Sequence, residues 1–577
     1  MDTSPTTERV EPTRARGIGR LWSERRFYFL ALVALLGLAL LTRLLRCSEG
    51  LPYLHRYGEP NLASRSLNML KTGDLNPHWF NYGSLTIYLH AAVDCLAYLW
   101  LKSRPLGDPE AISSLSEIRT FIDSKWIWTL SHPTFFLFNR AATALIGTLS
   151  IALTAVLGGR LAQAQAAAQV NHNHHSHLSA AGRTGLIAAA LLAGTALHVD
   201  LSVFIKPDML GATLVLASVT CAAAYASHGQ ARALLAALAL GALAASAKYN
   251  LVICLSASLA ALLIRSSSKY PAIPRRLWHA TFLLPPVVFF AAMPYALVDS
   301  ERFLANVVKE IQHYSVLGQN EHTVEPGLPH LLVQLRHFAD NFSAPVMLCA
   351  MLGVARVRRR PQAWVILTFF IGYGLLMLSM RVSFHHNFVA LYAFVAIFAA
   401  LGIEGILGFA REHLGKPMLR LASSLIFVAL CLHLATPARA SWEIYKTKET
   451  RSQAVELVNE LATAKGWQRI AIANELRLHA VDYSRLEVPF QVLSLAEIQV
   501  QAESFDAMVS ASNFHAPEGA RPQAVARAAR YNSLTPREMV FGEVPGGPLT
   551  MVIRAVNPGV VIVAPVAPAV SKGESTD

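Results

Sequence analysis

Charged residues are scarce in this 577-residue chain: Asp, Glu, Lys and Arg occupy only 15% of positions, against 53% for the apolar residues. Soluble domains usually carry about 25% charged residues. The charges avoid the apolar runs that recur from residue 27 to residue 434, whereas the sequence after about residue 440 has an ordinary soluble composition. A wholly soluble protein is therefore excluded, and the chain divides into a membrane body and a tail.

Cysteine is also sparse, with six residues that are widely spaced and mostly lie inside apolar runs. Paired spacings of the kind that build zinc sites or disulfide frameworks do not occur in the sequence, so we interpret these cysteines as packing residues. The run at residues 171–177 places four histidines within six residues, a spacing that could chelate a metal. We interpret it instead as a solvated linker without a catalytic role, because catalytic sites need a rigid frame.

Positive charge is concentrated in the membrane body. The net charge of the chain is +13, and residues 440–577 hold 13 Lys and Arg against 15 Asp and Glu, a net of −2, which leaves +15 for the other 439 residues. Basic residues in short loops between apolar runs set the orientation of a membrane protein. We therefore expect these basic residues to lie beside a lipid bilayer, and we expect the protein to bind no nucleic acid.

The apolar runs predict a mainly α, polytopic membrane protein with about 11–13 transmembrane helices, since about 20 apolar residues are needed to cross a bilayer. Basic loops at 265–276 and 356–360 and the arginine-rich N-terminal tail are predicted to be cytoplasmic, which places the C-terminal tail outside and favours an odd number of crossings. Twelve candidate helices lie near residues 27–45, 84–101, 135–158, 184–199, 208–226, 231–247, 250–264, 279–297, 343–355, 363–380, 387–410 and 419–436.

The remaining segments complete the predicted organisation of the chain. Alternating apolar residues at 469–473, 505–510 and 549–554 predict strands, and the amphipathic stretch 453–461 predicts a helix, so that the tail is expected to be a small α/β domain. The predicted divisions are a cytoplasmic tail at 1–26, a transmembrane catalytic body at 27–439 with outer loops near 46–83 and 298–342, an extracytoplasmic α/β domain at 440–558 and a disordered extension at 559–577.

Three charged residues beside apolar runs are candidates for chemistry. Glu59 follows the first helix, where a carboxylate could accept a proton from an acceptor or hold a metal ion; the alternative is a solvated loop residue. Asp208 and Lys248 interrupt apolar sequence, where ionisable groups are costly and usually functional. A salt bridge that only fixes helices is the alternative for Asp208, and snorkelling to the interface is the alternative to phosphate binding for Lys248.

Several motifs together resemble the GT-C membrane glycosyltransferases, in the branch of the protein O-mannosyltransferases and the lipid A aminoarabinose transferases. Residues 73–80 read Gly-Asp-Leu-Asn-Pro-His-Trp-Phe and match the family's pattern ahead of its second helix. The matching positions further along the chain are His198, Ser202, Phe204 and Asp208, then Lys248, Tyr249 and Asn250, and then residues 384–387, Phe-His-His-Asn.

The resemblance implies a GT-C fold and the transfer of a sugar from a polyprenyl-phosphate donor to a lipid, glycan or protein acceptor at the extracytoplasmic face. Glu59 and Asp208 would be catalytic, and a divalent metal is left open. The predicted substrate-binding residues are Lys248, Tyr249, His198, Ser202, His386, Asn387, Arg140 and His78. A lipid-linked donor agrees with the lack of a nucleotide-binding glycine loop in the sequence.

The sequence departs from the family pattern at three positions. Gly58 replaces the Asp of the family's Asp-Glu pair, His386 stands where Arg is common, and Lys206 stands where a small polar residue is usual.

Two alternative functions are consistent with the sequence. Intramembrane charges also mark the pathways of transporters and flippases for lipid-linked solutes, although the sequence shows no internal repeat. The glycine at position 58, in place of the family's Asp, would also agree with a non-catalytic relative of the family.

Overall fold

The computed structural model forms two compact units, and each is described by itself. Unit 1 comprises residues 1–44, 68–95 and 138–441, and unit 2 comprises residues 45–67, 96–137 and 442–577. The residues that the structure describes are 12–51, 58–105, 107–118, 131–166, 174–267, 269–319, 322–446, 450–473, 485–494, 497, 500–501, 504–511, 536–541 and 560–565. The first three residues of the histidine run, 171–173, lie outside them, and α5 begins at His174.

Helices dominate the part of the chain that the structure describes. They are α1 (Pro12–Leu44), α2 (Glu59–Thr72), α3 (Ser84–Lys102), α4 (Thr134–Ala166), α5 (His174–Ala193), α6 (Ala196–Leu201), α7 (Pro207–His228), α8 (Ala231–Ala247), α9 (Leu255–Arg265), α10 (Arg275–Ala292), α11 (Tyr295–Val298), α12 (Ser300–Gln312), α13 (Leu328–Phe342), α14 (Ala344–Val357), α15 (Pro361–Leu378), α16 (Val389–His413), α17 (Gly415–Lys446) and α18 (Thr450–Lys465).

Seven of the described helical segments are long and apolar enough to cross a membrane, and a bent pair, α13 and α14, could form an eighth span. Each of the twelve predicted crossings coincides with a helix, and several of them are short, as α8 and α9 are. The prediction of a mainly α, multi-pass membrane protein is confirmed. The odd number of crossings and the side on which each loop lies stay predictions.

Helix α16 lies at the centre of unit 1. Most of its side chains are buried, and it packs closely against α14. A Cβ atom at Gly353 of α14 would lie 1.8 Å from the carbonyl oxygen of Phe398, and one at Gly402 of α16 would lie 1.9 Å from the carbonyl oxygen of Cys349. These two helices therefore approach so closely that only glycine fits at either crossing point, as is common where membrane helices pack through small residues.

Unit 2 contains a five-stranded sheet. Its strands are β1 (Ile470–Ala473), β2 (Phe490–Leu493), β3 (Ala507–Ala511), β4 (Pro536–Phe541) and β5 (Val560–Pro565), in the order β2-β1-β3-β5-β4. β1 is parallel to β2 and β3, whereas β5 is antiparallel to β3 and β4. Strands β1 and β3 fall on two predicted strands, and α18 covers the predicted amphipathic helix. The predicted strand at 549–554 lies outside the described residues.

The segment 559–577 was expected to be a disordered extension, but residues 560–565 form strand β5 between β3 and β4. The reason lies in the run of β-branched residues at 560–563, Val-Val-Ile-Val, which has high strand propensity despite the proline-rich and alanine-rich sequence around it. The remaining residues, 566–577, are outside the described part of the chain.

The close approach of α14 and α16 leads to a stability prediction. Gly402→Val should lower the melting temperature of the purified protein, because the new side chain would overlap the α14 backbone at a cost of about 1–3 kcal/mol. Gly408→Val is the matched control, since nothing lies within 4 Å of a Cβ at that position of the same helix. Equal melting temperatures for the two variants would show that the helices do not pack as described.

Candidate active site

A buried ion pair joins α7 to the end of α8. The Nζ atom of Lys248 lies 2.7 Å from Oδ1 of Asp208, and both side chains are less than a tenth exposed. The short turn through Gly229 makes α7 and α8 antiparallel, which brings the N-terminus of α7 and the C-terminus of α8 to the same end. Asp208 sits in the first turn of α7 and Lys248 directly follows α8, so both charges are favourably placed for the helix dipoles.

The second partner of Lys248 comes from a distant part of the sequence. Nζ also donates to Oδ1 of Asn387, at 2.7 Å, in the 3-10 turn that precedes α16. Tyr373 of α15 donates to the carbonyl oxygen of Asn387 at 2.7 Å and holds this turn in place. A lysine ammonium has three N–H donors. The third has no hydrogen-bond partner among the described residues, and neither has Oδ2 of Asp208, so this centre keeps one donor and one acceptor for a ligand.

His386 lies beside this ion pair. It interacts electrostatically with Asp208, Lys206 and Lys248, and its ring stacks on Phe384 with the ring centroids 4.9 Å apart. The structure thus brings together four residues predicted from the sequence, namely Asp208, Lys248, His386 and Asn387. We call them the Lys248 centre.

Tyr249 links the Lys248 centre to the motif at residues 73–80. The single proton of its hydroxyl is shared between the carbonyl oxygens of Phe80 and Tyr82, at 2.9 and 3.1 Å. The side chain of Tyr249 is therefore engaged with this loop, and its position next to Lys248 fixes the loop beside the centre.

Two tyrosines that the sequence interpretation missed lie near Asp208. Burial raises the pKa of the Tyr82 hydroxyl well above its usual range, and the neighbouring Tyr314, Asp208 and Glu310 raise it further. Burial also raises the pKa of Tyr314. Both hydroxyls consequently stay protonated at neutral pH and can donate hydrogen bonds to an anion. Aromatic residues are common in interfacial loops, so their types alone gave no signal.

His198 and Ser202 form a separate buried network within unit 1. Nδ1 of His198 lies 2.7 Å from the guanidinium of Arg43 on α1, and Nε2 lies 2.8 Å from Oγ of Ser150 on α4. Ser202 donates to the carbonyl oxygen of His198. Arg43 can only donate, so Nδ1 accepts and Nε2 carries the proton toward Ser150. Both ring nitrogens are thus occupied by protein, and the network joins α1, α4 and α6.

The other predicted site residues are His78, Arg140 and Glu59. His78 is half exposed, with Nε2 at 2.7 Å from Asp74 and Nδ1 at 2.9 Å from Arg302. Arg140 is buried on α4. Glu59 is fully buried at the start of α2, in unit 2. The catalytic role of Glu59 stays a prediction.

A further polar chain within unit 1 was also missed. Nδ2 of Asn139 donates to Oδ1 of Asp94 at 2.6 Å, and Oδ1 of Asn139 lies 2.7 Å from Nδ1 of His90. His90 and Asp94 are one turn apart on α3, a spacing that places both on one helix face. All three are buried, and Asn139 is next to Arg140 in the sequence. His90 and Asp94 lie inside a predicted crossing helix, and the sequence shows that they are polar but does not indicate which residue they contact.

The described residues contain no group of three His, Cys, Asp or Glu side chains placed to hold a metal ion. The open question of a divalent metal is therefore unchanged by the part of the chain that the structure describes.

Comparison with known proteins supports the resemblance over part of the chain. A family model described as dolichyl-phosphate-mannose-protein mannosyltransferase matches residues 175–295. This segment, 121 of 577 residues, contains His198, Asp208, Lys248 and Tyr249. The predicted resemblance to this family is confirmed over this segment. No protein of curated function matches the sequence of the chain.

The solved structures that are similar to this chain include the following three. The crystal structure of ArnT from Cupriavidus metallidurans bound to undecaprenyl phosphate has a TM-score of 0.49 at 14% identity, and its apo state has a TM-score of 0.43 at 13% identity; each comparison covers 93% of this chain and 98% of that chain. The cryo-EM structure of the arabinosyltransferase EmbB from Mycobacterium smegmatis has a TM-score of 0.39 at 13% identity, covering 70% of this chain and 31% of that chain.

The ion pair predicts an asymmetric response to mutation. Lys248→Met should destabilise the protein by about 3–5 kcal/mol, because it leaves the Asp208 carboxylate buried without its cation. Combining it with Asp208→Asn should recover part of the loss, since the double variant has no unpaired buried charge. Thermal unfolding in detergent measures both effects, with Lys309→Met on the exposed side of α12 as the control. A melting temperature of Lys248→Met equal to that of the control would contradict the pairing.

Proposed function

We propose that this chain is a membrane glycosyltransferase that moves a sugar from a polyprenyl-phosphate donor to an acceptor at the extracytoplasmic face. The observation that carries the proposal is the Lys248 centre, which lies in part within the segment that matches the mannosyltransferase family. The acceptor would be a lipid, a glycan or a protein.

The donor phosphate needs cationic and neutral hydrogen-bond donors. The free N–H of Lys248 would bind a phosphate oxygen, and the protonated hydroxyls of Tyr82 and Tyr314 would donate to the others. His386, beside Asp208 and Lys248, would add a donor at the edge of the centre. Donors that are already positioned stabilise the charge that develops on the leaving phosphate without reorganising during the reaction.

The acceptor needs a carboxylate that orients it and takes up its proton. In the proposed reaction the acceptor oxygen or nitrogen attacks the anomeric carbon, the bond from that carbon to the phosphate oxygen breaks, and polyprenyl phosphate leaves with the electron pair. The configuration at the anomeric carbon inverts. Glu59 would receive the acceptor's proton, and Oδ2 of Asp208 would orient the acceptor.

Gly58, in place of the family's Asp, has a backbone reason to be glycine in this chain. Its φ is +88°, in the left-handed region that favours glycine, and its carbonyl oxygen accepts the hydrogen bond from Leu62 N at the start of α2. An aspartate would be strained in this conformation. We therefore assign the proton-accepting role to Glu59 alone.

The proposal predicts the activity of two conservative variants. Glu59→Gln and Asp208→Asn should each lower the transfer of labelled sugar from a polyprenyl-phosphate donor in membranes by about 100-fold, the range typical of a lost general base or orienting group. Glu404→Gln, which disrupts an ion pair with Arg183 elsewhere in unit 1, is the matched control and should keep most of the activity. Wild-type activity in both carboxylate variants would remove these residues from the mechanism.

The alternative of a transporter or flippase rests on the same buried charges. Movement of the labelled lipid across the membrane without formation of a glycoside would favour it over glycosyl transfer.

A further inference from the structure

Helix α12 presents three different surfaces around its axis. At 3.6 residues per turn, successive residues are about 100° apart. Phe303, Asn306, Val307 and Glu310 share one sector and are partly buried; Leu304, Val308 and Ile311 share the next and are exposed; the third sector, also exposed, consists of Glu301, Arg302, Ala305, Lys309 and Gln312.

The partly buried sector contacts residues 73–83, the loop between α2 and α3 that carries the glycosyltransferase motif and that we call the motif loop. Asn306 Oδ1 accepts the hydrogen bond from Phe80 N at 2.8 Å, and Glu310 accepts one from the side chain of Asn81. The ring of Phe303 packs edge-on against Phe80, with centroids 5.7 Å apart. This sector therefore clamps the loop that Tyr249 also contacts.

The turn that follows α12 contacts the segment that leads to His386 and Asn387 of the Lys248 centre. A π-helical turn, His313–Leu317, follows the helix, and the carbonyl oxygen of Tyr314 accepts hydrogen bonds from the backbone N–H groups of Arg381 and Val382. The guanidinium of Arg381 donates to the carbonyl oxygen of Val316 at 3.1 Å. The segment anchored here leads directly into Phe384, His386 and Asn387. Helix α12 and the turn after it thus contact both the motif loop and the segment 381–387, which contributes His386 and Asn387 to the Lys248 centre.

The apolar sector has no covering within the described chain. Leu304, Val308 and Ile311 are 50–59% exposed, although they are spaced at i, i+4 and i+7 on one face. The helix has 13 residues, about 20 Å, which is too short to cross a bilayer core of about 30 Å. A helix of this length with separate apolar and charged faces is suited to lie in the membrane interface.

The exposed apolar surface continues on both sides of α12. Before it, α10 exposes Phe282, Leu283 and Val287, and residues 297 and 298 are exposed leucine and valine. After it, Val316 and Leu317 are exposed in the π-helical turn. Exposed apolar residues therefore precede and follow the apolar sector along the chain, from a predicted crossing helix onward, and we expect the same partner, lipid, to cover them.

We propose that α12 is an interfacial helix whose apolar sector inserts into the acyl-chain boundary of the bilayer, and that this contact holds the motif loop and the segment 381–387 around the Lys248 centre. The charged sector, with Arg302 and Lys309, faces the lipid head groups and water. The surface itself does not depend on the proposed glycosyl transfer, whereas its effect on activity rests on that function.

Lipid contact can be mapped on the wild-type protein. The intact chain is reconstituted into phosphatidylcholine vesicles that contain a phosphatidylcholine with a diazirine in its acyl chain, and adducts are located by mass spectrometry after illumination. Hydroxyl-radical footprinting identifies the water-exposed side chains in parallel. We expect lipid adducts at Leu304, Val308 and Ile311, and oxidation without adducts in the charged sector. Leu425, Phe427 and Leu432, exposed on the crossing helix α17, are the positive control.

Three outcomes would overturn the proposal. Oxidation of the apolar sector without lipid adducts would place it in water, and protection from both reagents would assign it to a protein partner. Loss of the adducts at these three residues, but not on α17, when polyprenyl phosphate is added would make the sector a track for the donor's chain.

The effect on activity is tested with an exposed variant of α12. Val308→Asn should abolish the lipid adducts at Leu304 and Ile311 and lower sugar transfer in vesicles about three- to tenfold, whereas Glu301→Gln should change neither. Unchanged transfer together with lost adducts would overturn the link between lipid contact and the site. If the wild-type protein transfers no sugar, the proposed function fails, but the adduct map still decides the lipid contact.

Discussion

A buried cation that must be paired is the constraint on which the candidate site depends. Removing Lys248 from water beside apolar helices costs much free energy unless its positive charge is paired. Asp208 at the start of α7 supplies the charge, and Asn387 ahead of α16 supplies a second acceptor. Three helix ends that are far apart in the sequence therefore meet at one point in unit 1, and their meeting leaves one donor and one acceptor for a ligand.

The surrounding elements maintain this meeting point by hydrogen bonds to the backbone. Tyr249 binds two carbonyl oxygens of the motif loop, and Tyr373 binds the carbonyl oxygen of Asn387. Because Tyr249 binds the backbone of Tyr82, it leaves the Tyr82 hydroxyl available as a donor, whereas the Tyr314 hydroxyl interacts with the side chain of Asn387. His198, by contrast, has both ring nitrogens engaged by Arg43 and Ser150, which suits it to hold helices together.

Residues whose polarity conflicts with their apolar surroundings could be predicted from the sequence. Asp208 and Lys248 interrupt apolar runs, and the short turn between α7 and α8 places them at one end. The clamp by α12 could not be predicted, because Phe80 and Asn306 are separated by 226 residues and neither type is unusual in a loop or an amphipathic helix. Strand β5 was missed for a different reason, since its four β-branched residues lie within proline-rich sequence.

The central claim is that the Lys248 centre binds the phosphate of a polyprenyl-phosphate lipid, and equilibrium binding of that lipid to the detergent-solubilised protein tests it most directly. Lys248→Arg keeps a cation and should bind the lipid within a few-fold of wild type, whereas the double variant Asp208→Asn/Lys248→Met, which has no unpaired charge, should bind at least about tenfold more weakly, since a charged hydrogen bond contributes about 1.5–3 kcal/mol. Wild-type affinity in that double variant, with an unchanged fold, would contradict the account.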